Sequence, residues 1–214
     1  MRNLKPARIL SCFAPLACAG LMLSACVSVL PKPAPAPTVY RLTVPEYADR
    51  QAVVPSKVIN IEYPLAPRPI GGADIMLSSD NRSLTAAANA HWAEPVPDMI
   101  RNTLIDALAA NSDITGVIPK GSTRVPFRLN TDVRRFEAVF DRGPESGPLA
   151  IVQLNLSLTG TKSRNLISTR TIRTEARAST ASVSAIVSAQ EAATLDATRQ
   201  ITQWLDSAMS GPRG

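Results

Sequence analysis

Histidine is nearly missing from this chain of 214 residues, where His91 stands alone. A protein metal centre needs at least two convergent His, Cys or carboxylate ligands, and no such spacing occurs. There is also no Gly-x-Ser-x-Gly elbow, phosphate-binding glycine loop or His-Glu-x-x-His pair. A Ser-His-Asp triad would have to be built on His91, which reads more simply as an exposed ring beside a half-buried Trp92. Cysteine is scarce too, with Cys12, Cys18 and Cys26 all close to the N-terminus. No polybasic block or aromatic-interleaved basic stripe accompanies the formal charge of +6, so nucleic acid is not expected as a partner. The first apolar run falls short of the roughly 20 residues that a membrane span requires. These absences point to a protein that is not an enzyme and carries no metal or cofactor.

What is present begins at that apolar run. Arg2, Lys5 and Arg8 precede Ile9 to Leu23, which carry no charge, and small residues follow. This is the layout of a secretory signal over residues 1–25. Leu23-Ser24-Ala25-Cys26 resembles the lipobox of bacterial lipoproteins. The resemblance makes Cys26 the first mature residue, lipidated on sulfur with diacylglycerol and on nitrogen with an acyl chain such as palmitate. A thiolate suits the sulfur alkylation because it is a soft nucleophile. Cys12 and Cys18 leave with the signal, so no disulfide within the mature chain is expected. Losing three basic residues lowers the balance from +6 to +3, an ordinary mixed surface. By the sorting rule of such lipoproteins, Asp beside the lipidated cysteine retains the protein in the inner membrane. Val27 stands there instead, which implies the outer membrane, with the protein facing the periplasm.

Residues 26–37 form a spacer. Prolines 31, 33, 35 and 37 prevent helix and favour an extended polyproline segment, and a tether without preferred length is an equal reading. The folded domain is expected over 38–210. Val39 to Leu42 and Lys57 to Ile61 alternate apolar with polar and read as strands. Pro64 to Gly72 is a loop. Asp74 to Leu77 makes a short strand that turns at Ser79-Asp80-Asn81 and returns toward Trp92. Pro95 and Pro97 with Asp98 then open a helix that runs to Asn111. Its buried stripe is Ile100, Leu104, Ala107 and Leu108, with Ile105 meeting a second neighbour.

Further on, Val125, Phe127, Leu129 and Val133 alternate, but the apolar set then shifts to Phe136, Ala138 and Phe140. One extra residue at Arg134-Arg135 reconciles the two parities, which predicts a β-bulge. Asp141 to Pro148 is a hairpin loop. Val152 to Leu158 and Ile172 to Ala178 complete a three-stranded antiparallel meander with one wet face. A long helix from Val183 to Met209 carries Ile186, Val187, Ala193, Ala197, Ile201, Trp204 and Leu205 on one stripe. Gln190, Glu191, Arg199 and Gln200 fall on or near its polar side and edges. The fold expected is α+β, an antiparallel sheet with two helices packed on one face, the second long and C-terminal.

Several features together resemble the auxiliary lipoproteins of ABC-type lipid transport systems built on mammalian-cell-entry (MCE) domains, the paraquat-inducible type included. These are the lipobox, the Pro-rich spacer and Tyr40-Arg41-Leu42 in the first strand. Trp92-Ala93-Glu94-Pro95 at a helix entrance, Arg134-Arg135-Phe136-Glu137 in a long strand, and the closing helix with Trp204 complete the set. The chain departs from the pattern before Asp74, where Pro67-Arg68-Pro69 and Gly71-Gly72 replace a compact Asp-Arg. The resemblance implies a non-catalytic lipoprotein subunit, anchored in the outer membrane, that docks an MCE-domain protein and helps lipid cross between membranes. Association with further copies of itself fits that role. The alternative is a structural or assembly lipoprotein of the envelope, with a hydrolase third.

Four residues are candidates for contact with a partner or lipid. Trp92 either docks a partner or packs under the helix entrance, and Glu94 either joins that patch or caps orphan N–H groups. Arg134 and Arg135 either pair with Glu137 or Glu94, or hold a lipid phosphate through the guanidinium fork.

Overall fold

The computed structural model describes residues 36–43, 57–111, 113–120, 124–162 and 164–210. The signal, Cys26 and the spacer up to residue 35 lie outside these residues. From Pro37 onward the chain groups as one unit. Its elements are β1 (Thr38–Tyr40), β2 (Lys57–Ile61), β3 (Asp74–Ser78), β4 (Thr85–Trp92), α1 (Val96–Asn111), β5 (Ile114–Val117), β6 (Phe127–Val139), β7 (Leu149–Gly160), β8 (Leu166–Arg177) and α2 (Val183–Ser210).

The eight strands form one sheet, α+β as expected, but mixed rather than antiparallel. The meander β6-β7-β8 is antiparallel throughout, and so is β3 with β4. Four pairings are parallel: β1 with β4, β2 with β5, β2 with β6 and β3 with β6. The physical reason for the difference is simple. Alternation assigns residues to faces of a sheet and says nothing about the direction of the neighbouring strand.

β6 is the axis of the sheet. β7 pairs with it from Phe127 to Val139 and so occupies one edge completely. The other edge is shared. β2 takes Phe127 to Leu129, Leu65 makes a single parallel bridge to Asp132, and β3 takes Ala138 and Val139. Residues 57–78 therefore run along β6 as one interrupted strand.

The expected bulge is present. Val133 pairs with Leu154 and Arg135 with Gln153, which leaves Arg134 as the extra residue. Leu129, Thr131 and Val133 are buried before it, and Phe136 and Ala138 after it. Glu137 and Val139 are buried as well, so the far end of β6 is covered on both faces.

The stripe of α1 is buried as read, from Ile100 to Leu108, and the helix packs on β5 and α2. α2 lies against β6, β7 and β8. Its apolar stripe is buried from Ile186 to Leu205, and Trp204 Nε1 donates to Ser168 Oγ at 3.1 Å. Gln190 is a correction. It is buried rather than on the polar side, with Nε2 3.5 Å from the carbonyl of Ile151. Thr194, Thr198 and Thr202 continue the same buried row, and their hydroxyls donate to carbonyls of α2 itself. A helix hides hydroxyls at low cost in this way, because each keeps a hydrogen bond.

Candidate functional site at the β6 bulge

The interrupted edge of β6 fails for a chemical reason. Leu65 holds the edge with both backbone groups: its N–H donates to Thr131 at 2.9 Å, and its carbonyl accepts from Val133 at 2.7 Å. Pro67 and Pro69 follow, and neither has an N–H to continue the ladder. The chain turns away there, with Ile70 and Gly71 N–H groups donating to the Pro67 carbonyl at 3.1 and 2.9 Å. Pairing resumes only at Leu77 with Ala138. The unpaired stretch of β6 is Arg134 to Glu137, so the bulge faces the gap.

That gap is a cavity of about 190 Å³. Arg134 and Arg135 line it from β6, Ser78 from the end of β3, and Asn81 and Arg82 from the turn after β3. Asn81 takes a left-handed conformation at φ 61°, which Asn tolerates better than most residues. Asp80 fixes the turn by accepting from the N–H groups of Arg82 and Ser83 and from the Ser83 hydroxyl, at 2.8–2.9 Å. Those bonds favour the carboxylate, those from the Ser83 and Arg82 N–H groups foremost, and pull the pKa of Asp80 down to about 2.

Arg135 is held from two sides. Its Nε donates to Glu137 Oε1 at 2.5 Å and its Nη2 to Asn81 Oδ1 at 2.7 Å. Glu137, 6% exposed, also accepts from the Phe136 N–H at 2.8 Å. Both of its oxygens are therefore engaged with the protein itself. Arg134 is more exposed and reaches Asp132 at 3.1 Å. Arg135 thus pairs with Glu137, while Arg134 pairs with Asp132, a partner outside the two considered from the sequence. Glu94, part-exposed, accepts instead from Asn102 on α1 at 3.2 Å.

Trp92 lies below the same region. It is 2% exposed and meets Phe136 edge-on, with centroids 6.0 Å apart and rings at 65°, an arrangement worth about 0.5–1.5 kcal/mol beyond its burial. The backbone N–H of Trp92 donates to the carbonyl of Ala73 at 2.7 Å, and the carbonyl of Gly72 accepts from the Val96 N–H at the start of α1. Trp92 therefore packs against Phe136, the residue that directly follows the double arginine in β6. His91 beside it is part-exposed. Sequence reasoning missed Ser78, Asn81 and Arg82. It placed their turn but gave no sign that the turn folds against the bulge.

Among the described residues no group of three or more His, Cys, Asp or Glu is placed to hold a metal. A larger, open depression of about 650 Å³ lies at the other end of β6, beside Asn60, Arg128 and Lys162. Arg128 is paired there with Glu62 at 2.8 Å, and none of the buried polar atoms without a partner lines it.

A model of the ABC-type transport auxiliary lipoprotein component family matches residues 40–202. The chain belongs to that family. The other auxiliary components of this kind are transport accessories by description, which points away from catalysis. The match takes in β4, the bulge and the first 20 of the 28 residues of α2. Among solved structures, the chain resembles XCC0632 from Xanthomonas campestris, assigned to the DUF330 family, at 25% identity and a TM-score of 0.69. The resemblance covers 80% of this chain and 96% of that one. An uncharacterised protein matches at 17% identity and TM-score 0.64, over 80% and 99% of the two chains. The hypothetical protein CT253 from Chlamydia trachomatis shares the fold at 6% identity and TM-score 0.52, over 72% and 98%. No curated protein matches the chain.

Proposed function

We propose that this auxiliary component is a non-catalytic lipoprotein, anchored through Cys26 in the outer membrane and facing the periplasm. In this reading it docks an MCE-domain protein of an ABC transporter that moves lipid between the two membranes. The observation that carries the reading is the family match over residues 40–202, joined to the lipobox-like Leu23-Ser24-Ala25-Cys26. Thioether-linked acyl chains supply the anchor, at about 0.8 kcal/mol per buried CH₂. The spacer holds the folded domain away from the bilayer, at about 3.1 Å per residue where it is extended. Several copies can assemble around one partner in this role.

Two experiments test it. Cys26→Ala should abolish incorporation of radiolabelled palmitate, and the native protein should sediment with outer membrane on a sucrose gradient. Equal labelling of both forms would remove the anchor. Crosslinking in cells should capture an MCE-domain protein. A chain that is lipidated and sorted as expected but never captures one is instead a structural lipoprotein of the envelope.

A further inference from the structure

We infer that the cavity at the β6 bulge is a binding site for a phosphate group. Three arginines line it, Arg82, Arg134 and Arg135, against one carboxylate, Glu137, whose two oxygens are already engaged. A guanidinium carries five N–H donors in a planar fork suited to phosphate oxygens. Arg135 commits only two of its nitrogens and Arg134 one, while the exposed guanidinium of Arg82 has no ion-pair partner among the described residues. Most of the donor capacity thus remains for a ligand.

Ser78 is a second and independent indication. It is 3% exposed and lines the cavity, and its hydroxyl has no hydrogen-bond partner among the described residues. An orphaned buried hydroxyl is costly unless something bonds to it. Rotation of the Ser78 side chain toward the cavity would let a phosphate oxygen among the arginines accept from this shielded hydroxyl. Asn81 and Glu137 hold Arg135 in place beforehand, so its fork need not be ordered on binding.

The size limits the ligand. At about 190 Å³ the cavity is below the roughly 300–1,000 Å³ of a site that encloses a drug-sized molecule. It takes a phosphate with a few attached atoms, as in inorganic phosphate or the phosphodiester of a lipid headgroup, and leaves acyl chains outside. Pro67 and Leu84 at its wall give such a substituent apolar surface. The inference stands on this geometry and does not require the transport reading.

The test is calorimetric titration of the full-length chain in a non-ionic detergent. Three probes are used: inorganic phosphate, glycerophosphoglycerol (a headgroup phosphodiester without acyl chains) and acetate. Both phosphates should bind and acetate should not. Arg82→Gln and Arg134→Gln should each weaken binding about tenfold, the worth of one charge-assisted hydrogen bond. Ser78→Ala should weaken it less, and Arg128→Gln at the other end of β6 should leave it unchanged. Thermal melts confirm that each variant folds. Binding of the diester identifies the headgroup as the source, and binding of inorganic phosphate alone identifies free phosphate; either supports the site. Three results would overturn it: no binding of either phosphate, equal affinity in wild type and both arginine variants, or acetate competing as well as phosphate. The last would mark the cavity as a dock for a partner's carboxylate. Failure to capture a transporter would leave the phosphate result intact, and the reverse holds too.

Discussion

The two edges of β6 are built from the same residues and behave as opposites. Along β7 the ladder is unbroken but for one bulge, and the loop over residues 140–148 joins the two strands. Along β2 and β3 it is broken by two prolines, and the gap collects arginines. The lesson is that sheet continuity and binding capacity compete. Backbone groups paired with a neighbour offer nothing to a ligand, and a site arises where pairing lapses under control of the surrounding loops.

The sharpest way to break the comparison is to change the strand's parity. Deleting Asn130, in the regular stretch, should flip one half of β6 and expose Leu129 or its counterparts, at a cost of about 4 kcal/mol or more. Deleting Arg134 removes the residue that is already extra. It leaves Val133 and Phe136 on one face and should cost far less. Chemical denaturation of the two deletion variants measures the difference, and equal midpoints would contradict the register described for the bulge.

Next in size is Glu137→Ala on the interrupted edge. It strips the buried partner from Arg135 and should cost about 3 kcal/mol, read as a lower denaturation midpoint. On the continuous edge the matching change is Gly147→Ala, in the hairpin between β6 and β7. A Cβ there would lie 1.9 Å from the carbonyl oxygen of Ala178, and backbone cannot yield as a flexible side chain does. The expected loss is about 1–3 kcal/mol, in the same assay.

The smallest effect concerns acid. The pKa of Asp80, on the interrupted side, falls from 3.8 to about 2 in the folded state. That of Asp141, at the hairpin, is lowered by its hydrogen bonds to Arg177 at 2.7 and 2.8 Å. A pKa depressed by folding stabilises the native state fully above the unfolded value, and the contribution fades as pH falls toward the folded one. Stability measured between pH 4 and 2 should therefore drop less steeply in Asp80→Asn and in Asp141→Asn than in wild type. Unchanged slopes would show that these bonds do not favour the charged form.

Much of this was legible beforehand, and for definite reasons. The bulge could be read because Val133 and Phe136 cannot share a face across three regular steps. Both helices could be read from proline and Asp98 at one start and a long stripe in the other. Strand direction could not, since a run such as Val58-Ile59-Asn60-Ile61 alternates alike in either pairing. β5 was missed because Ile114-Thr115-Gly116-Val117 is short and interrupted by glycine. The structure explains that glycine: a Cβ at Gly116 would lie 3.1 Å from Leu108 and 3.2 Å from Ile61, where helix and strand press close. The cavity was half legible. Its arginines stood out, but their convergence with Ser78 and Arg82 depends on a loop whose path the sequence does not state.

The threonine row of α2 has a mechanical consequence. Hydroxyls that bond their own helix demand no matching acceptors on the surface opposite, so they do nothing to fix the helix lengthwise. Among the described residues that task falls to five cross-bonds: Gln190 to the Ile151 carbonyl, Thr174 to the Ala193 carbonyl, Trp204 to Ser168, the Thr43 N–H to Glu191, and Lys57 to Ser210. Three lie in the first half of a 28-residue helix and two in its last third, along a rod about 42 Å long. A rod pinned at two stations can neither slide nor pivot, yet the span between them can bow with the twist of the strands beneath. α2 thus acts as a splint for the β7–β8 ribbon, which holds the continuous edge of β6 straight while the opposite edge is left open.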